Sequence, residues 1–186
     1  MTTSLLLSAI LAVALLAWAM MLFNRLVRLR NQVRTAWADI DVQLTRRHDL
    51  VPALVAAVKG YASHEGALLE AVTTLRAQAT AERAPGRLGD VEGRLEHALG
   101  RLVALKEAYP DLKANQNFSQ LQRDLVEVEE SLQYARRFYN GAVRDYNDAV
   151  QRVPDLLVAR SCGFNPAEFF QADEAQRAAV KVELPR

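Results

Sequence analysis

Arg46, Arg47 and Asp49 put three charged groups within four positions, and one of them stands where an apolar residue belongs. Val33, Trp37, Ile40 and Leu44 recur at steps of three and four, and Val51, Leu54, Val58 and Tyr61 resume the rhythm; Arg47 fills the place between the two runs. That spacing marks one stripe of a helix. A guanidinium on such a stripe needs a counter-charge, because an unpaired buried ion is costly. Two roles are open to it. One is structural: an ion-pair and hydrogen-bond cluster of Arg46, Arg47 and Asp49 that supports the helix beside Pro52. The other is docking of a partner's carboxylate or a phosphate. The stripe position favours the structural role. Arg136 and Arg137, beside Phe138, Tyr139 and Asn140, repeat the question later in the chain. Arg136 lies at a seam edge from which it can reach acids on a neighbouring helix, and surface solvation is the plainer role.

Other chemistry is sparse. His48, His64 and His97 are the only histidines, and none forms an H-E-x-x-H pair. His64 and Glu65 are adjacent, which sets them about 100° apart on a helix, poor for sharing a metal. Asp39 and Asp41 are two apart and point to different faces, so they read as solvated or salt-bridging residues. There is no Gly-rich phosphate loop and no G-x-S-x-G. Cys162 is the one cysteine, which rules out an intrachain disulfide. Beside Gly163 and Phe164 it reads as a small packing residue. These residues therefore predict no catalytic, cofactor or metal site, and a non-enzymatic protein.

The elements that must position the arginines begin with a membrane span. Residues 5–23 carry no charge and one hydroxyl, Ser8. As a helix they measure about 28 Å, which matches a hydrocarbon core of about 30 Å. Trp18 suits the interface, and Arg25, Arg28, Arg30 and Arg34 follow before the first acid, Asp39. Arginines flanking one end of a span hold that end in the cytoplasm, so the first four residues are expected outside and the bulk of the chain inside. The same arginines suit anionic headgroups. The rival reading is a signal peptide cut at Ala17-Trp18-Ala19, but the leading segment lacks a basic residue and the run is long for one. The chain has 23 basic and 22 acidic residues among 186, so no one-signed field points to nucleic acid.

Beyond the span the chain reads as all-α. A long helix over 24–59 is expected to kink or break near 48–51, because Pro52 removes a hydrogen bond and crowds the His48 carbonyl. A second helix is expected over 63–82, capped by Ser63. Residues 84–90 read as the clearest loop, with Asp90 capping a third helix that runs to Tyr109. The last begins at Phe118 under an Asn117 cap, and its seam runs Leu121, Leu125, Val128, Leu132, Ala135, Tyr139, Ala142, Tyr146, Ala149 and Val153. Two long and two shorter helices predict an antiparallel four-helix bundle over 24–160. Mixed aromatics and alanines on the seam argue against a uniform intermolecular coiled coil. Residues 161–186 form a tail that folds back onto the bundle or stays extended, with 178–184 as a short strand or a partner-binding segment.

The motifs themselves carry a resemblance. Residues 30–33, 36–44 and 46–52 form a block with 58–65, and 109–118 and 135–140 with Val143, Tyr146 and Asn147 continue it. Gly163-Phe164 and Phe169-Phe170 complete the pattern, which resembles the LemA family over nearly the whole chain after the span. The middle, 80–95, corresponds least, and His48 stands between the arginines and the aspartate where a variable position is expected. The resemblance implies a bacterial inner-membrane protein with one amino-terminal span, a short outside tail and a cytoplasmic four-helix bundle. It brings no reaction. It also suggests envelope roles beside other envelope proteins or a membrane protease. The expectation is a membrane-anchored scaffold or adaptor, in contact with lipid and open to self-association. The alternative is a membrane-proximal enzyme or regulator built on Arg46, Arg47, Asp49 and Arg136. A secreted four-helix protein, cut after Ala19, is a third.

Overall fold

The computed structural model describes residues 2–170, and among these every regular element is helical. Helix α1 spans Thr2–Lys59, α2 Gly66–Ala81, α3 Pro85–Ala104, α4 Pro110–Ala114, α5 Gln116–Gln151 and α6 Asp155–Cys162, with a 3₁₀ turn at Leu105–Glu107. The segment 178–184 lies outside the described residues. By length and composition α1 is long and apolar enough to cross a membrane, and its large apolar side chains from Leu5 to Phe23 are exposed, apart from half-buried Leu22.

The expected break at 48–51 is absent: α1 passes through Pro52. Proline leaves the carbonyl four residues earlier without its helical donor. Here that carbonyl, of His48, accepts a hydrogen bond at 2.7 Å from Nε of Arg76 on α2. A neighbouring helix thus supplies the missing donor, and the helix continues.

Six local expectations are corrected. Ser63 does not cap α2, which starts at Gly66 after Glu65. Residues 84–90 are not a loop; the linker is 82–84, and Pro85 opens α3 at its first turn, where a missing N–H costs nothing. Asp90 therefore sits inside α3. At α5 the cap is Asn115 rather than Asn117: its Oδ1 accepts from the Phe118 N–H at 3.0 Å. The seam of α5 ends at Val150, while Val153 is exposed. Cys162 is exposed too, not packed.

The chain divides into two compact units. The first comprises Met1–Asp39 and Arg137–Glu168. Leu26, Val33 and Ala36 of α1 are buried there, as are Tyr139, Ala142, Val143, Tyr146, Ala149 and Val150 of α5. Trp37 packs on Tyr139 at 5.2 Å between ring centroids. The segment after α6 is tied down by polar clamps. Asn147 donates to the Ala167 carbonyl at 2.9 Å and accepts from the Ala167 N–H at 2.8 Å, and the Tyr139 hydroxyl donates to the Glu168 carbonyl at 2.8 Å. Gly163, at φ +70°, ends α6 in the left-handed region that favours glycine. The Phe164 N–H then bonds back to the Ala159 carbonyl, and the Phe164 ring lies edge-on to Phe23 at 5.6 Å and under the Arg30 guanidinium at 4.9 Å.

The second unit comprises Ile40–Arg136 with Phe169 and Phe170. Its core is aliphatic but for one ring: Val51, Leu54 and Val58 of α1 meet Leu68, Leu69 and Val72 of α2, Leu95, Leu99 and Leu102 of α3, and Leu112, Phe118 and Leu125. Burial of this kind contributes about 1.5–3 kcal/mol per large side chain, which is what holds short helices such as α2 in place.

Candidate functional site

Arg47 sits inside the second unit with 0% of its side chain exposed, and so does Glu92 of α3. Arg47 Nη2 faces Glu92 Oε2 at 2.9 Å, and Nη1 donates to Glu129 Oε1 of α5 at 2.8 Å. Glu96, one turn along α3 from Glu92, lies 4.0 Å from Arg47 Nη1 and 3.1 Å from Arg136 Nη1. Arg136 in turn stacks over the Phe170 ring at 5.2 Å. On the α1 side His48 Nε2 meets the other Glu92 oxygen at 2.7 Å. Two guanidiniums, three carboxylates and an imidazole therefore form one chain of contacts across α1, α3 and α5.

Each member is positioned by an apolar neighbourhood. Arg47 lies between Leu44 and Val51 on the α1 stripe, and Glu92 between Leu88 and Leu95 on α3. Glu129 follows buried Val128 on α5. Burial pushes the Glu129 carboxyl above its ordinary value; Arg47 pulls it down, Glu96 pushes it up, Arg136 pulls it down and Glu92 pushes it up. Arg47 thus lies between two acids from two other helices, and setting register is the best-attested use of such buried charges. Arg47 Nη1 donates to Glu129, whereas Nη2 faces Glu92 without an aligned hydrogen bond and buried Nε has no hydrogen-bond partner, so the fork is held more by charge than by hydrogen bonds.

The residues singled out in sequence separate on folding. Arg47 and Arg136 join one network through Glu96. Arg46 is exposed, 3.4 Å from Gln43 Oε1 and 3.7 Å from Glu127. Asp49 is exposed on the same helix, and Arg137 is exposed in the first unit. Of the interface set, Trp18, Arg28 and Arg34 are exposed, Arg25 bonds Asp155 at 2.7 Å, and Arg30 covers Phe164. Sequence reasoning missed Glu92, Glu96, Glu129 and His48. The available signal was a second charge on an apolar stripe: Glu92 falls in step with Leu88, Leu95, Leu99 and Leu102, as Arg47 does on α1. Among the described residues no group of His, Cys, Asp and Glu is arranged to hold a metal ion.

The sequence profile of the LemA family matches residues 36–184. Magnetosome proteins MamQ 1 and MamQ 2 of Paramagnetospirillum magneticum are each 25% identical over 194 aligned residues, covering 90% of this chain and 71% of theirs. Protein LemA of Metamycoplasma hominis is 24% identical over 161 residues, covering 84% of this chain and 72% of its own. The matched profile takes in α2 to α6, Arg47 and all three carboxylates of the network, and the chain belongs to the LemA family.

Proposed function

We propose that this protein is a non-enzymatic, membrane-anchored scaffold of the bacterial envelope. The observation that carries the reading is the continuity of α1: one helix bears the exposed apolar run of residues 5–23 and, without interruption, the stripe that supports the packed helices. The apolar run and the stripe thus belong to the same helix. In this reading α1, α2, α3 and α5 act as an antiparallel four-helix bundle in the cytoplasm, at the inner membrane, with the amino terminus outside. The basic flank Arg25, Arg28, Arg30 and Arg34 supports that orientation. The buried network acts as a register lock and not as a reaction centre. The partners in this reading are the lipid bilayer, further envelope proteins such as a membrane protease, and other copies of the chain. Relatives named for the magnetosome fit work within an assembled cellular structure.

Two measurements test it. Carbonate washing of membranes should leave the intact chain in the pellet, and protease added outside spheroplasts should spare the body after residue 24. Release by carbonate, or digestion from outside, refutes the anchor or its orientation. Cross-linking in native membranes should then recover envelope proteins or copies of the chain; a monomer free of neighbours refutes the scaffold.

A further inference from the structure

Helix α6 is fastened at both ends to the place where the apolar run of α1 stops. At its start, Asp155 accepts from Arg25 at 2.7 Å. Just past its end, Phe164 packs on Phe23 at 5.6 Å. These two contacts, at residues 23–25, hold α6 at the level where a span over residues 5–23 would leave the hydrocarbon. One face of α6 is taken up within its unit: Asp155 and Ala159 are buried. The opposite side presents Leu157, 62% exposed, with exposed Arg160 one turn on, and the turn before α6 presents Val153, 67% exposed, beside exposed Arg152. Large apolar side chains left in water next to arginines are the make-up of a helix that lies in the headgroup layer, its apolar side chains in the acyl boundary and its cations on phosphate. Charge agrees: residues 24–39 and 137–168 hold eight arginines against five acids, whereas residues 40–136 hold twelve basic residues against fourteen acids.

We propose that α6 and the Val153 turn form a second membrane contact, with Val153 and Leu157 immersed at the bilayer interface and Arg152 and Arg160 on anionic headgroups. The proposal rests on the reading of residues 5–23 as a span. A helix lying in the interface beside a single span would fix the tilt and rotation of the body, which one span alone leaves free.

The test uses the full chain with Cys162→Ser, reconstituted in vesicles of phosphatidylethanolamine and phosphatidylglycerol. A nitroxide is placed singly at Leu157→Cys, at Leu16→Cys in the run, or at exposed Glu130→Cys. Collision with oxygen and with a water-soluble nickel chelate reads depth. The expected result is a Leu157 label several-fold less accessible to nickel, and more accessible to oxygen, than the Glu130 label, with the Leu16 label deepest. Replacing Arg160 by Glu in the Leu157-labelled protein should raise its nickel accessibility. A Leu157 label as open to nickel as the Glu130 label, with Leu16 still deep, overturns the second contact and leaves the span standing. A Leu16 label open to nickel overturns both.

Discussion

The same two helices, α1 and α5, contribute to both units, and the units are held by different chemistry. In the first, small and aromatic residues alternate: Ala36, Ala142 and Ala149 make room for Trp37, Tyr139 and Tyr146, and the chain after α6 is clipped on by side-chain hydrogen bonds to backbone. In the second, the core is built of leucines and valines from α1, α2 and α3, and the unit also buries an arginine with no exposure at all. Shape does the specifying in the first. In the second, a buried charge is placed where it can choose among registers that Leu and Val stripes alone discriminate poorly. The contrast predicts that single substitutions cost most where charge is buried and less where hydrogen bonds clip a segment.

Arg47→Ala should have the largest effect. It strands Glu92 wholly buried and Glu129 partly so, and breaking a buried pair from one side costs about 3–5 kcal/mol. Denaturant unfolding of the full chain in micelles reads this directly. Replacing the set together, Arg47→Met with Glu92→Leu and Glu129→Gln, should recover most of the loss, since an apolar substitute for a buried ion pair is often neutral or better. A loss below about 1 kcal/mol for Arg47→Ala would remove the distinction between the units.

Asn147→Ala tests the other side. It deletes both hydrogen bonds to Ala167 and leaves that peptide group without its partners. The expected cost is about 2 kcal/mol, with faster proteolysis confined to the segment after α6. A loss as large as that of Arg47→Ala would mean that the clip, and not charge, dominates.

The division into two units was not legible in advance, but part of what holds the second unit was, for identifiable reasons. The α1 stripe was readable because Ile40, Leu44, Val51, Leu54 and Val58 keep strict three-and-four spacing, and all five are buried. That Arg47 needs a partner followed from its place in that stripe. Which acids answer it was not readable, because Glu92 and Glu129 come from elements 45 or more positions away and nothing local pairs those helices. Cap positions failed for another reason. Ser63, Asp90 and Asn117 are all good N-cap types, but where a helix begins was settled by where packing begins and by Pro85 and Asn115. The continuity of α1 through Pro52 was not legible either, because what satisfies the freed carbonyl, Arg76, is 24 residues downstream.

That remedy gives the next prediction. Arg76→Met leaves the His48 carbonyl without a donor and should cost about 1–2 kcal/mol. Pro52→Ala restores the helical N–H to the same carbonyl. In that background the Arg76→Met loss should largely vanish, so the pair is non-additive by about 1 kcal/mol. Additive losses would show that Arg76 acts through something other than the proline's orphaned carbonyl.

The smallest effect is a dependence on pH that comes from Glu129 in the second unit. Burial holds the Glu129 carboxyl above 4.5, with Glu96 and Glu92 adding to the rise and Arg47 and Arg136 opposing it. The folded chain therefore keeps this proton to higher pH than the unfolded chain does. Between the unfolded and folded values the native state binds more protons, so the Glu129 contribution to stability falls as pH rises through that window and is flat above it. Other carboxylates superimpose their own slopes, so the clean measurement is a difference. The stability of the unmodified chain minus that of Glu129→Gln should shift in favour of the unmodified chain as pH falls from neutral into the window. The control lies in the first unit, where burial and Glu168 push Tyr139 up to about 12. Tyr139→Phe loses the hydrogen bond to the Glu168 carbonyl, about 1 kcal/mol, by the same amount from about pH 4 to 8. A Glu129→Gln difference equally flat would mean that Arg47 holds that carboxylate ionised despite its burial, and that the second unit carries its charges without any cost in acid–base terms.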